Sequence, residues 1–284
     1  MYKTLHTDLS GHILTVTINR PDKLNALNKD VISELDEVVR EIYENNEIKS
    51  AILTGAGTRA FVAGADISEF QGLSKEEGAA LSKKGQDIFL RIAASPKPIA
   101  AAIRGFALGG GCELAMACHI RLCTPDARFG QPEVNLGLIP GYGGTQRLTA
   151  LVGRGRALEI MLSARMVDAT EAHTLGLVNY IVTEPDELLT KTREWLSLVG
   201  DKAPLAIARI IECVNIATHD GTSAAGDDWE AEPFGGDTTP EGGDRMGNGF
   251  IREQQAFGEC FATEDMKEGA SAFLAKRKAN FTGR

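Results

Sequence analysis

The chain has 284 residues, 43% of them apolar and 24% charged, with a net charge of −9. This is enough apolar material for one large globular domain, or a domain with an appendage, and it excludes a disordered or fibrous class. The acidic balance argues against non-specific binding to nucleic acid or to an anionic membrane, and no run of about 18 apolar residues is present to span a bilayer.

In chain order, His12–Asn19 alternates with period two and reads as a strand closed by Pro21. From Asn28 onward, Val31, Leu35, Val38, Val39 and Ile42 recur at helical spacing. Ser50–Thr54, Pro98–Ile103, Ile120–Cys123 and Leu177–Val182 read as buried strands, with helical patterns near 75–94, 111–118 and 153–163 between them. The alternation predicts an α/β chain. Second extended pieces, at 61–66 and 128–134, suggest strand–strand–helix units stacked in successive turns rather than a flat doubly wound sheet. Residues 220–250 hold eight Gly and eight acids with one Arg and almost no apolar periodicity, so they read as a loop or disordered insert. Helical chemistry resumes at Ile251 and is expected to run to the terminus. The expected division is a core over residues 1–200 that carries the active site, and a helical C-terminal region over 201–284 that contains the insert.

Cys112, Cys118, Cys123, Cys213 and Cys260 form no CxxC pair and no zinc-type spacing. With an opening, MYKTLHTDLSGH, that shows no signal or transit pattern, they predict a reduced, cytoplasmic setting and no metal. Walker, Rossmann, nucleophile-elbow, HExxH and EF-hand signatures are absent. Two Gly-rich turns and two carboxylates remain. Phe61-Val62-Ala63-Gly64-Ala65-Asp66-Ile67 is a run of small residues that leaves backbone N–H groups open to a ligand. In Leu108-Gly109-Gly110-Gly111-Cys112-Glu113-Leu114 three glycines lead into an apolar helix, whose start carries unsatisfied donors and partial positive charge. One N–H from each turn would make a two-donor oxyanion hole. The same glycines would also serve close helix–strand packing, and Glu113 in a first helical turn would also serve as a cap. Glu133, in Gly130-Gln131-Pro132-Glu133-Val134, is by itself a loop acid.

The runs FVAGADI, PIAAAIRGFALGGGCELAMACHIRL, ARFGQPEVNLGLIPGYGGTQRL and AFLAKRKANF resemble the crotonase superfamily, and the presence of both glutamates resembles its enoyl-CoA hydratases. The match covers nearly the whole chain except residues 220–250. The resemblance implies a crotonase-type spiral with a helical C-terminal oligomerisation region, assembled as a trimer or a dimer of trimers. It implies reversible addition of water to the 2,3 double bond of a short-chain 2-enoyl-CoA, as in fatty acid β-oxidation, with no cofactor beyond the coenzyme A of the substrate. Ala65 and Gly110 would bind the thioester oxygen. Glu113 would activate water and Glu133 would protonate C2, two acids being required because one proton leaves the water while another reaches carbon. Two close carboxyls resist double ionisation, so one should carry a proton at neutral pH. Ala63, Asp66 and Ile67 would contact the adenine and pantetheine, and Lys276, in the cluster Lys276-Arg277-Lys278, the phosphates. His119 is expected to be structural. Tyr142 falls in a turn near the acyl end; pointing inward, it would favour short or flat acyl groups. The alternatives are a hydratase of cyclic dienoyl-CoA, an isomerase, which needs only one acid, or a non-catalytic CoA-binding or scaffold member.

The charge of −9 divides unevenly. The 220–250 stretch carries eight acids and one Arg, leaving 31 acids and 29 bases for the remainder. The body that would bind an anionic coenzyme is therefore close to neutral.

Overall fold

A computed structural model describes residues 2–218 and 245–284. The chain forms two compact units, Met1–Ala93 with Pro98–Leu196, and Ala94–Lys97 with Ser197–Arg284. In the first, β1 (Leu5–Ser10) and β2 (Ile13–Ile18) form an antiparallel hairpin. Helix α1 (Lys29–Glu44) follows, with the Asn28 side chain accepting from the Val31 N–H at 3.0 Å as its N-cap. Three strand–strand–helix turns come next: β3 (Ser50–Gly55), β4 (Ala60–Val62) and α2 (Lys75–Ala93); β5 (Ile99–Ile103), β6 (Phe106–Leu108) and α3 (Gly110–Ala117); and β7 (Ile120–Cys123), β8 (Arg128–Gly130) and α4 (Gly144–Val152). In each turn the first strand joins a six-stranded sheet, β1-β2-β3-β5-β7-β10 with β10 at Tyr180–Ile181, and the second joins a four-stranded sheet, β4-β6-β8-β9 with β9 at Val167–Asp168. Beyond the opening hairpin the large sheet is parallel. This is the expected α/β spiral.

A parallel sheet covered on both faces needs strands that are apolar throughout. In β5 all five residues are buried. Ala101 faces the main core with Leu53 and Val38, whereas Ala100 and Ala102 face a second cluster with Ile52, Leu122 and Leu188. The unit continues through α5 (Arg154–Ser163), β9 (Val167–Asp168), α6 (Ala169–Thr174), β10 (Tyr180–Ile181) and α7 (Leu188–Gly200), the unit boundary falling within α7. The strand expected over Leu177–Val182 shrinks to Tyr180–Ile181. The Leu177 carbonyl is taken by Arg121 Nε at 2.8 Å, and the Val178 N–H by the Ala172 carbonyl at 3.2 Å, so neither residue can join the ladder.

The second unit holds α8 (Pro204–Thr218), α9 (Arg245–Phe261) and α10 (Glu264–Leu274). The expected loop at 220–250 lies outside the described residues up to 244; its last six residues are helical. Gly247 and Gly249 weaken the helical pattern of the sequence there, but α9 continues along α8, where a Cβ at Gly249 would lie 3.8 Å from Ile216. Nor does one helix run to the terminus. Thr263 caps α10, accepting from the Met266 N–H, and the chain leaves the helix at Leu274 with Lys276 at φ +55°. The buried Asp265 carboxylate then gathers the N–H groups of Thr282 at 2.7 Å and Gly283 at 2.9 Å. Among the described residues no helix is long and apolar enough to cross a membrane.

Removing that carboxylate leaves two part-buried backbone donors without their acceptor. Asp265→Ala is expected to cost about 1–3 kcal/mol and to speed hydrogen exchange in residues 276–284. Unchanged exchange there would show that Asp265 does not anchor the tail.

Candidate active site

Parallel strands of the small sheet deliver two turns side by side. After β4 the chain pairs with Leu27, whose N–H donates to the Gly64 carbonyl at 2.9 Å and whose carbonyl accepts from the Asp66 N–H at 2.8 Å. In such a bridge the residue between, Ala65, directs its own N–H away from Leu27, and among the described residues that N–H has no partner. After β6, the Gly109 N–H is held by the Gly130 carbonyl of β8, and α3 begins at Gly110. As the first residue of a helix, Gly110 has no intrahelical acceptor for its N–H, so a second donor is left over at the positive end of α3. Gly109 itself, at φ +50°, marks the meeting point. A Cβ placed there would lie 2.7 Å from Glu133 Oε1 and 3.8 Å from Gly64 Cα. Both turns and one carboxylate thus converge on a spot that only glycine leaves open.

The two glutamates occupy different surroundings. Glu113 is 1% exposed, in a helix that is otherwise wholly apolar and buried. Its Oε1 accepts from the N–H groups of Tyr142 and Gly144, each at 2.7 Å, where α4 begins. Burial pushes this carboxyl up to about 7; the negative charge on Glu133 adds to the rise, and the two backbone donors and Arg147 pull against it. Glu133 opens a short 3-10 turn, Glu133–Leu136, and is half-buried, with burial again raising its proton affinity. Gln131 lies between them. With its amide oriented to satisfy its surroundings, its nitrogen donates to Glu133 Oε1 and Oε2 at 3.0 and 3.1 Å. The position a Cβ on Gly144 would take is 2.8 Å from that amide and 2.9 Å from Glu113 Oε1. Two carboxyls, each with proton affinity raised, therefore flank the two spare donors. Such a site can hold an oxyanion and move one proton on each side of it.

The structure treats the other expected residues variously. The Ala63 N–H donates to the Leu24 carbonyl and the Asp66 N–H to that of Leu27, so neither is offered to a ligand. The Asp66 carboxylate is engaged by Ser68 Oγ at 2.7 Å and Arg20 Nη2 at 3.0 Å, which hold it below the usual carboxylate range. Ile67 is 45% exposed. Lys276 belongs to the second unit. There Arg277 pairs with Glu268 and Lys278 with Asp201, whereas Lys276 makes no ion pair among the described residues. His119 is locked to the backbone, its Nδ1 accepting from the Ile99 N–H and its Nε2 donating to the Ala93 carbonyl; burial pushes it down to about 4, so it stays neutral. Sequence reasoning passed over Gln131 and Leu27. Gln131 is flagged only by its place beside Glu133, and Leu27 by nothing local, since its role is a bridge across 38 positions.

The family model described as enoyl-CoA hydratase/isomerase matches residues 8–236. The chain belongs to the enoyl-CoA hydratase/isomerase family. It is 43% identical over 268 residues to a short-chain-enoyl-CoA hydratase of Clostridium acetobutylicum, covering 94% of this chain and 93% of the relative. It is 40% identical to a crotonyl-CoA hydratase of Syntrophomonas wolfei, over 99% and 98% of the two chains. Among solved structures, an enoyl-CoA hydratase of Bacillus anthracis superposes with a TM-score of 0.86 at 31% identity, covering 99% of this chain and all of the other. One from Geobacillus kaustophilus also gives 0.86, at 35% identity, covering 100% and 99%. The spiral is therefore the family's fold.

The raised proton affinity of Glu113 has a part that depends on its neighbour. In Glu133→Gln the negative charge is gone, so the Glu113 carboxyl should titrate below its value of about 7, yet above an ordinary glutamate because burial persists. Carboxyl-carbon NMR on the labelled variant measures this. An unmoved midpoint would mean that the two groups do not sense each other.

Proposed function

We propose that the protein is a short-chain enoyl-CoA hydratase, adding water reversibly across the 2,3 double bond of a 2-enoyl-CoA to give the 3-hydroxyacyl-CoA. The observation that carries this reading is the pair of carboxyls with raised proton affinity beside two unpartnered backbone donors. The named activities of the full-length relatives support it.

The thioester oxygen is bound by the N–H groups of Ala65 and Gly110. Polarising that carbonyl makes C3 electrophilic and lets negative charge pass to the oxygen as water adds, where the helix start and both donors stabilise it. Glu113, its Oε1 fixed by Tyr142 and Gly144, takes a proton from the water with its other oxygen. Glu133, aligned by Gln131, delivers a proton to C2. The O–H bond of water breaks, C3–O and C2–H bonds form, and the carboxyl pair ends with the proton exchanged between its members. The reverse sequence dehydrates the product.

The reading extends to the assembly and setting of the enzyme. Exposed Phe250, Ile251, Phe257, Phe261, Phe273 and Leu274 in the second unit support a homo-oligomer, a trimer or a dimer of trimers, in which this apolar surface is covered. Five cysteines without a disulfide among them support a reduced cytoplasm, with the reaction serving acyl-CoA metabolism such as fatty acid β-oxidation. No cofactor beyond the coenzyme A of the substrate is required by these steps.

With crotonyl-CoA, loss of the conjugated-enoyl absorbance should report turnover. Glu113→Gln and Glu133→Gln should each lower kcat by about 10²–10⁴-fold with little change in Tm. Undiminished turnover in both would refute the two-carboxyl mechanism. In the unmodified enzyme, kcat/KM for hydration should fall as pH rises through about 7, because a Glu113 midpoint raised by an ionised Glu133 marks the loss of the one proton that the carboxyl pair must hold to supply C2. A profile that stays flat above pH 7 would count against a proton shared by the pair.

A further inference from the structure

The turn that supplies Glu113 with its donors also carries a large side chain whose position the mechanism does not use. Tyr142 is 6% exposed. On one side its ring lies against Gly110, where an added Cβ would meet Tyr142 Cδ2 at 3.3 Å. On the other it is pressed into α2 at Gly85, where an added Cβ would fall 2.3 Å from Cδ1 and 2.4 Å from Cε1. Phe89, one turn along α2, meets the ring edge-on at a centroid distance of 5.5 Å. The helix is also tied to the turn itself, since Ser82 Oγ and Gln86 Nε2 donate to the Gly141 carbonyl at 2.5 and 3.0 Å. The ring is thus held between the helix that begins at the oxyanion site and a second helix whose only accommodation for it is a missing side chain.

We infer that Tyr142, seated on Gly85, is the wall that ends the acyl site and sets the length of acyl chain this enzyme accepts. The inference rests on the acyl-CoA reading above and adds to it the residue pair that decides chain length. A thioester whose oxygen sits on the Gly110 N–H has its C2 and C3 beside Glu113, and the Tyr142 N–H is bonded to that same carboxylate. Carbons beyond C3 must therefore pass the Tyr142 side chain. The ring cannot retreat, because α2 is in contact behind it and is fastened to residue 141. On this inference a four-carbon acyl group is accommodated, whereas a ten-carbon group needs the volume the ring fills. Each methylene refused by a packed apolar wall is worth about tenfold or more in discrimination.

The test compares kcat/KM for crotonyl-CoA and for trans-2-decenoyl-CoA in four proteins, with affinities for butyryl-CoA and decanoyl-CoA measured by calorimetry. The unmodified enzyme should favour the short substrate by at least about tenfold, and Tyr142→Phe should keep that preference because the ring remains. Tyr142→Ala should shift the ratio toward the long substrate by at least about tenfold. Gly85→Ala should depress turnover of crotonyl-CoA by driving the ring toward Gly110, and the double variant Gly85→Ala/Tyr142→Ala should recover from that loss. An unmodified enzyme that takes both lengths equally, or a Tyr142→Ala ratio that does not move, overturns the inference. So does a Gly85→Ala penalty that persists after Tyr142 is truncated. The binding arm separates the two readings. If no enoyl-CoA is hydrated but the affinity order changes with Tyr142→Ala, the hydratase assignment fails and the wall stands; if crotonyl-CoA is hydrated and the order does not change, the reverse holds.

Discussion

A carboxyl group on the inside of a fully buried helix is the constraint around which this molecule is arranged. Glu113 is 1% exposed among Cys112, Leu114, Ala115 and Met116. An ionised carboxylate in such surroundings is costly unless donors meet it. Its donors come from the chain around residues 142–144, which must turn so that two backbone N–H groups point back at α3. That requirement places the start of α4, and with it the Tyr142 ring. It also leaves the second carboxylate oxygen and a proton affinity near neutrality available for chemistry, so the same feature that strains the core supplies a base.

The spiral solves the complementary problem of presenting backbone donors without paying for orphans deep in the core. Each small-sheet strand ends in a turn, and parallel neighbours end at the same side. Hence the turns after β4 and β6 lie together although they are over forty residues apart in sequence. Leu27 fastens the first turn through two hydrogen bonds and leaves the Ala65 N–H over; the helix geometry leaves the Gly110 N–H over. Neither donor requires a special side chain. What the site requires is the absence of one, at Gly109, because Glu133 occupies the space where a Cβ would be.

Much of this is legible in the amino-acid sequence. The apolar spacing of α1, the β5 run PIAAAI and the second extended pieces all carry their structural meaning in short stretches of chain, although the pieces expected at 61–66 and 128–134 form strands only over Ala60–Val62 and Arg128–Gly130, the latter giving way to a 3-10 turn at Glu133. The errors lie where distant groups compete for the backbone. Leu177 and Val178 look like strand but give their hydrogen bonds to Arg121 and Ala172. The C-terminal helix pattern stops at Leu274, and the tail beyond it is gathered by Asp265. Beside Lys276, Arg277 pairs with Glu268 and Lys278 with Asp201, contacts that the sequence pattern does not show. At the site, Glu113, Glu133 and the two Gly-rich turns stand out by residue type, whereas Gln131, Leu27 and Gly85 do not. Their contributions are an amide between two carboxyls, a bridge and a vacancy, none of which has a local signature.

The sequence by itself determined the family, the spiral of strand–strand–helix units and the residue types able to hold an oxyanion and exchange protons, because these depend on motif order and on periodicities within ten or twenty residues. Only the tertiary structure decided which N–H groups remain unspent, how far burial lifts the carboxyl of Glu113, and which way Tyr142 points. Those outcomes depend on partners drawn from separate turns of the spiral. Hydrogen-bond satisfaction, desolvation and steric exclusion are properties of what surrounds a group, and the surroundings exist only once the chain has closed upon itself.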